Sequence, residues 1–460
     1  MKRTVAEIVS MTQGALAKGP EDVLVTGVST DSRNIRPGNL FVPLIGETFD
    51  GHQFAEAVAA AGAAAILWTE GRELPTVNCP VIVVADPLLA LQQLAHAYRK
   101  QLHAKIVAIT GSNGKTSTKD IIAKVLSESF RVQKTGGNLN NHIGVPLTLL
   151  SLKEDTEIAV VEMGMNHAGE IRLLSQIAEP DVGVITNIGE SHLEFFGSRS
   201  GIADAKWELI DQLEQLGGQR TAVVNGDEPL LRERAGRFSG RLLFFGIQPG
   251  NDVHPVQLQR NGLSGYTFSV GETNRSFQLP VLGEHQVTNA LAAIAVAREF
   301  GMHDEKIAAG LSRVQLTPMR MQVIQSEQTG WVMVNDAYNA SPTSMKAGFQ
   351  LLGELTDVYK IAALGAMLEL GKQSQEAHRE VGAAAVQYGI QELYCFGEDA
   401  RYIVEGALAF GLQKENAHWY KDIESLLTDL RARMLEVKDG VLFVKGSRGM
   451  RMERVVQGLE

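Results

Sequence analysis

Residues 106–117 read Ile106-Val107-Ala108-Ile109-Thr110-Gly111-Ser112-Asn113-Gly114-Lys115-Thr116-Ser117. An apolar strand runs into a glycine-rich turn and then into the start of a helix. Residue types in this order suit a polyphosphate. Gly111 and Gly114 let backbone N–H groups come close to phosphate oxygens. The helix opened by Lys115 favours negative charge at its first turn. Lys115 adds a point charge, and the Thr116 hydroxyl suits Mg2+. The usual phosphate-loop pattern has a further glycine at position 109, where this chain carries Ile109. The turn is therefore a variant phosphate loop, and a nucleotide with Mg2+ is its expected ligand.

Other candidates follow along the chain. Glu162 ends the apolar run Ile158-Ala159-Val160-Val161. At the carboxyl edge of a parallel sheet a carboxylate can hold Mg2+ opposite the phosphates; otherwise it is a solvated strand-end acid. Thr135 to Pro146 packs Asn138, Asn140, Asn141 and His142 into one short polar loop, either a ligand loop or a plain surface turn. Thr186-Asn187-Ile188-Gly189-Glu190-Ser191-His192 ends the next strand, and His192 is either a metal-shell ligand or structural. By residue type alone, Lys206 reads as a helix-surface lysine.

Elements must bring these groups together. A helix is expected over Leu88 to Leu102 after the cap pair Asp86-Pro87. Strands are expected over Lys105–Thr110, Ile158–Glu162, Val182–Thr186 and Thr221–Asn225, alternating with helices. That order describes a largely parallel, doubly wound sheet. Leu242 to Leu279 is turn-rich and alternating and suggests a small antiparallel patch. Strands over Trp331–Asp336, Tyr359–Gly365, Glu392–Gly397 and Gly440–Lys445 suggest a second doubly wound unit. Before residue 85, apolar runs at Phe41–Leu44, Ala64–Trp68 and Val81–Val84 suggest a small separate unit. The expected fold is α/β with three domains: residues 1–84, 85–316 and 317–460.

The chain has 460 residues, 43 Lys+Arg against 53 Asp+Glu, and a net charge of -10. That balance argues against general binding to nucleic acid or anionic membranes. Two cysteines, Cys79 and Cys395, are too few for a disulfide framework and suit a reducing compartment. The start of the chain does not read as a signal peptide. Ala57 to Trp68 is too short and too glycine-broken to span a bilayer, for which about 20 apolar residues are needed. A cytoplasmic monomer without membrane insertion is expected.

Together the motifs resemble the ATP-dependent Mur ligases of peptidoglycan synthesis, whose phosphate loop has the form Thr110–Thr116 shows here. Glu162, Asn187…His192, Lys206, His285…Asn289 and Arg320 fall in that family's order. Further segments resemble the branch that adds D-alanyl-D-alanine to UDP-N-acetylmuramoyl-tripeptide: Ser29–Arg33 with Gly38–Phe41, Asp50–Phe54, Gly137–Pro146, Asn335–Pro342 and Lys445–Arg448. The Asp-Asn-Pro-Arg type motif of the ligase adding the third amino acid is absent. Ser341 departs from the pattern, which has Asn there.

The resemblance implies a small UDP-substrate domain, a central phosphate-loop ATPase domain and a C-terminal Rossmann-like domain. It implies an amide ligase that works through an acyl phosphate, with ATP and Mg2+ as cofactors. Thr110 to Ser117 would hold the phosphates, with His285, Asn289, Arg320, Asp336 and Tyr338 completing the nucleotide site. Lys115, Glu162, His192 and Lys206 would be catalytic. Thr116, Glu162, His192 and a carbamylated Lys206 would serve the metals. Ser32, Arg33, Thr48, Phe49, Asn138, Asn140 and Asn141 would bind substrate. An open-to-closed rotation about Leu316–Met321 is implied as well.

A folylpolyglutamate-synthetase-like ligase shares the phosphate loop, but the separate first domain with Asp31-Ser32-Arg33 speaks against it. A switch or motor ATPase would have no use for the Asn loop. A non-catalytic binding module fits the converging metal and phosphate groups poorly.

Overall fold

A computed structural model of the chain describes residues 1–189, 193–271 and 275–460. Its central sheet has the order Arg241–Phe245, Thr221–Asn225, Val182–Ile185, Lys105–Thr110, Ile158–Glu162, Val132–Lys134. Every pairing is parallel. Ile106, Val107, Ala108 and Ile109 are all fully buried. A parallel sheet covered on both faces requires such continuous apolar strands. After Lys105–Thr110 the chain builds first on one side of that strand and then on the other. This reversal of strand order makes a crevice at the carboxyl ends of the strands, where open α/β sheets bind ligands. Register places Glu162 beside Ile109 and Ile185 beside Thr110. The phosphate turn, Glu162 and the Thr186-Asn187 segment therefore share one edge.

The helix Pro87–Gln101 begins as expected. Asp86 Oδ1 accepts from the amides of Leu88 at 2.7 Å and Leu89 at 3.2 Å. Pro87 occupies the first turn, where its missing N–H costs nothing. The buried face of this helix (Leu91, Leu94, Tyr98) belongs to one core with Ile82 and Val84 before it and Ile106 and Val161 after it. Residues 15–84 carry a sheet ordered Ala15–Lys18, Val81–Val84, Ala65–Thr69, Leu40–Phe41, Val28–Ser29. Only its Ala15–Lys18 edge is antiparallel. The expected boundary at residue 84 thus crosses continuous apolar packing. Met1–Val256, Ser269–Arg275 and Thr288–Leu311 form one compact unit.

The second unit comprises Gln257–Phe268, Ser276–Val287 and Ser312–Glu460. Its sheet runs Gln322–Gln325, Val332–Asp336, Val441–Lys445, Lys360–Gly365, Glu392–Phe396, Ala417–Tyr420, antiparallel only at the Gln322 edge. Alternate strand residues feed two cores, Val334, Leu364 and Phe443 with Phe349 on one face, and Met333, Ala363 and Val444 with Leu430 on the other.

One expectation needs correction. Arg241–Phe245 is not part of an antiparallel patch; it is the outer strand of the central sheet, with Leu242 beside Ala222. Leu242-Leu243-Phe244-Phe245 is a continuous apolar run, the pattern of a parallel-sheet strand. The small sheet begins later, with Pro255–Arg260, Tyr266–Val270 and Ser276–Leu279. The edge strands Gln322–Gln325 and Ala417–Tyr420 have no counterpart in the sequence reading; both are short and carry polar residues. No helix among the described residues is long and apolar enough to cross a membrane.

Candidate active site

The phosphate turn is shaped by two glycines in left-handed conformations, Gly111 at φ 152° and Gly114 at φ 80°. A Cβ on Gly111 would lie 1.8 Å from Thr186 Oγ1, and one on Gly114 2.9 Å from Asn289 Oδ1. The backbone thus packs where no side chain fits. The neighbouring strand end ties the turn down. Thr186 Oγ1 donates to Asn113 O at 2.6 Å, and Asn187 Oδ1 accepts from Asn113 N at 2.9 Å. Ser112 N donates to Asn187 O at 3.1 Å. Thr186 and Asn187 therefore position the turn, a role the residue types alone do not disclose.

Lys115 arches back over the turn, its Nζ donating to Gly111 O at 2.7 Å and Ser112 O at 3.3 Å. Thr116 and Ser117 are buried at the start of helix Lys115–Leu126. Among the described residues, the hydroxyls of Thr110, Ser112 and Thr118 and Glu162 Oε2 are buried without a hydrogen bond. Buried polar groups are ordinarily paired, so such oxygens are suited to a ligand's partners.

Glu162 is not the solvated strand-end acid of the plainer reading. It is buried, its amide donates to Thr135 Oγ1 at 2.9 Å, and its Oε1 accepts from Asn140 Nδ2 at 2.9 Å. Asn140 thus stands on the acid. Asn141 Oδ1 accepts from Ile143 N at 3.2 Å and Gly144 N at 2.8 Å, holding the start of helix Gly144–Leu150. Asn138 is exposed. Among the described residues no group of three or more His, Cys, Asp or Glu could hold a metal. That sparse set still fits Mg2+, which takes hard oxygen donors and keeps several waters and substrate phosphates alongside one or two carboxylates. Glu162 Oε2, which lacks a hydrogen bond, and the Thr116 hydroxyl are donors of that kind.

Lys206 lies in helix Arg199–Leu216 and is buried, which removes the helix-surface reading. Burial pushes its pKa well below the ordinary lysine value, and the nearby Lys115 charge adds to the effect. His192 lies outside the described residues.

In the second unit, Asp336 ends strand Val332–Asp336 and pairs with Lys445, which ends the adjacent strand. Its Oδ1 accepts from Met321 N at 3.1 Å, and Lys445 Nζ donates to Asn339 O at 2.9 Å. The Arg320 guanidinium lies 4.1 Å from the centroid of the Tyr338 ring. Met319 and Met321 flank it at φ 65° and 51°, each costing roughly 1–2 kcal/mol for a residue with a side chain. His285 is exposed, with Gln286 Nε2 3.2 Å from its Nε2. Asn289, further along helix Glu284–Glu299 and in the first unit, is buried. Ser341 caps helix Pro342–Gly353: its hydroxyl accepts from Ser344 N at 3.3 Å, and Ser344 Oγ accepts from Ser341 N at 2.9 Å. Ser and Asn are comparable caps, so the departure keeps that local function.

In the first sheet's region, Asp31 Oδ1 accepts from Arg33 N at 3.0 Å and Arg33 Nε at 2.9 Å. The Arg33 side chain and amide hold the Asp31 pKa down to about 2. Arg33 itself is open to solvent beside Ser32. Thr48 and Phe49 are exposed. Just after them His52 is buried, Nδ1 2.7 Å from Asp50 Oδ1 and Nε2 2.9 Å from Thr69 Oγ1. That support for the loop was visible only as the sequence Asp50-Gly51-His52.

Three family models match in succession. The model described as "Mur ligase family, catalytic domain" covers residues 24–99, "Mur ligase middle domain" covers 109–297, and "Mur ligase, glutamate ligase domain" covers 319–448. The chain is 44% identical over 461 residues to the UDP-N-acetylmuramoyl-tripeptide–D-alanyl-D-alanine ligase of Bacillus subtilis, covering 100% of this chain and 98% of that protein. A crystal structure of MurF from Acinetobacter baumannii matches at a TM-score of 0.90 and 33% identity, covering 100% and 99%. MurF of Thermotoga maritima in complex with ADP matches at 0.81 and 31%, covering 95% and 97%. With these matches and the phosphate turn, strand-end acid and buried lysine described above, the chain belongs to the Mur ligase family.

Proposed function

We propose that this chain joins D-alanyl-D-alanine to UDP-N-acetylmuramoyl-tripeptide at the expense of ATP, in the synthesis of the peptidoglycan precursor. The observation that carries this reading is the 44% identity to a ligase of that name over the full chain. A relative that holds ADP supports the nucleotide. We infer a cytoplasmic monomer.

The tripeptide carboxylate attacks the γ-phosphate of ATP, ADP leaves, and the dipeptide amine displaces phosphate from the resulting acyl phosphate. The first step brings two anions together, so charge neutralisation and positioning dominate. Lys115 leaves the carbonyls of Gly111 and Ser112 and turns to the β- and γ-phosphates. The amides of the turn cradle the same oxygens, held by Thr186 and Asn187. Mg2+, when bound at Thr116 and Glu162, would supply further neutralisation of the phosphates. Asn140 keeps Glu162 oriented. Lys206, as a carbamate, would add an anionic metal ligand, and the family resemblance assigns His192 to the metals as well. His285, Asn289, Arg320, Asp336 and Tyr338 would complete the nucleotide site. Ser32, Arg33, Thr48 and Phe49 would receive the uridine nucleotide in the domain of residues 1–84, ahead of the ATP domain of residues 85–316 and the C-terminal domain of 317–460. Asn138 and Asn141 would border the substrate.

ADP release measured with the UDP-tripeptide and a panel of amines tests the reading. D-alanyl-D-alanine should exceed D-alanine, L-alanine and D-glutamate by about 10²-fold or more, the scale on which a buried polar site rejects a substrate lacking its groups. Equal rates with a free amino acid would move the protein to a sister ligase.

A further inference from the structure

Lys119 sits one helical turn beyond Lys115 on the same helix, yet it is not a phosphate-loop residue. Its side chain is 2% exposed. A lysine so buried is rare unless paired. Nζ donates to Thr135 O at 3.0 Å and stands 3.6 Å from Glu162 Oε2 and 3.8 Å from Asp120 Oδ1. Asp120 is in turn held by Lys134 at 2.6 Å. Glu162 Oε2 has no hydrogen bond, and Lys119 is its ion-pair partner among the described residues. These two lysines and two carboxylates cancel in charge as the protein folds. Leaving one buried carboxylate unpaired would be costly.

A divalent cation on Glu162 would arrive beside a fixed positive charge in a poorly screened interior. We propose that Lys119 is a positioning residue that acts as a stand-in counter-cation for Glu162. It holds the carboxylate in place in the free protein and opposes metal binding there until nucleotide phosphates bring compensating negative charge. Metal and nucleotide therefore load together, and the free protein takes up little metal. The proposal rests on the reading of Glu162 as a divalent-cation ligand. A lysine present only for packing would affect stability alone.

The test uses the full chain and Mn2+ as probe, with free Mn2+ counted by electron paramagnetic resonance. Without nucleotide, K119Q should bind Mn2+ about tenfold or more tightly than wild type, the scale of removing one nearby charge. The gain should vanish in K119Q/E162Q and be absent from K119R. Mn2+ should also raise the melting temperature of K119Q more than that of wild type. Equal Mn2+ affinities for wild type and K119Q overturn the proposal, provided wild type with ATP still binds Mn2+ in a Glu162-dependent way. Absence of Glu162-dependent Mn2+ binding even with ATP overturns the underlying reading of Glu162 instead. Should K119Q not fold, K119Q/E162Q must recover stability, since it leaves no unpaired buried acid. A double variant no more stable than K119Q refutes the pairing.

Discussion

A buried lysine is costly to keep charged, and Lys206 is such a lysine. Burial, with the nearby Lys115 charge, depresses its pKa well below the ordinary lysine value and so favours the neutral amine, the form that reacts with CO2. On carbamylation the neutral amine nitrogen would bond to the CO2 carbon and release one proton, leaving a carboxylate-like anion. Lys206→Ala should lower turnover by about 10²-fold or more, as the loss of a fixed charge from a reaction centre does. Short-chain carboxylates such as acetate should restore part of it by occupying the vacated anion position. A ¹³C signal from ¹³CO2-treated wild type, absent from the variant, is the independent check. Full activity of the unrescued variant would return Lys206 to a packing role.

At the level of elements, the turn after one strand of the second unit is held by helix Ser374–Gln387 through a single polar side chain. Strand Lys360–Gly365 continues into a turn whose Met367 N donates to His378 Nε2 at 2.9 Å. His378 Nδ1 faces Ser374 O at 2.6 Å, so the ring's partners require the neutral tautomer protonated at Nδ1. Leu368 N donates to Ser447 Oγ at 2.9 Å and joins that turn to the next strand end. Burial holds the His378 pKa below 6.5, outweighing its bond to Ser374 O and the Asp399 charge. The unfolded chain therefore takes up a proton near 6.5 that the folded unit refuses. Stability is fully present above 6.5 and falls as pH drops toward the lower folded value. Urea midpoints followed through Trp331 and Trp419 should decline from pH 7 to 5. His378→Gln should be less stable at pH 7 by about 1–3 kcal/mol but with a flatter pH dependence. An unchanged slope would show that another group carries the effect.

For the whole molecule, the contact pattern makes two units where the sequence suggests three domains. Helix Pro87–Gln101 is the reason, because one buried face serves the core on both sides of residue 84. Removing residues 1–84 would expose Leu91 and Leu94, so the first sheet should not be separable as a stable piece. Calorimetry of the full chain should resolve two transitions. Leu94→Ala should lower one and Phe349→Ala the other, each by about 2–5 kcal/mol, since both side chains are fully buried in different cores. If either variant shifted both transitions together, the units would be one cooperative body.

The strand Lys105–Thr110, the cap at Asp86 and the glycine turn that follows were legible in the sequence because each is decided locally. Apolar run length, a capping side chain and left-handed glycines act within a few residues. The whole-chain order of motifs likewise carried the family. Other features wait for the tertiary structure. Arg241–Phe245 could be placed only by the strand it pairs with, since an apolar pentapeptide suits either kind of sheet. Lys206 and Lys119 look like ordinary helix lysines until the fold buries them. Glu162 and Lys119 stand 43 positions apart in number, and only the packing of helix Lys115–Leu126 against strand Ile158–Glu162 joins them. Burial and long-range charge pairing depend on what the rest of the chain places nearby, which no local pattern encodes.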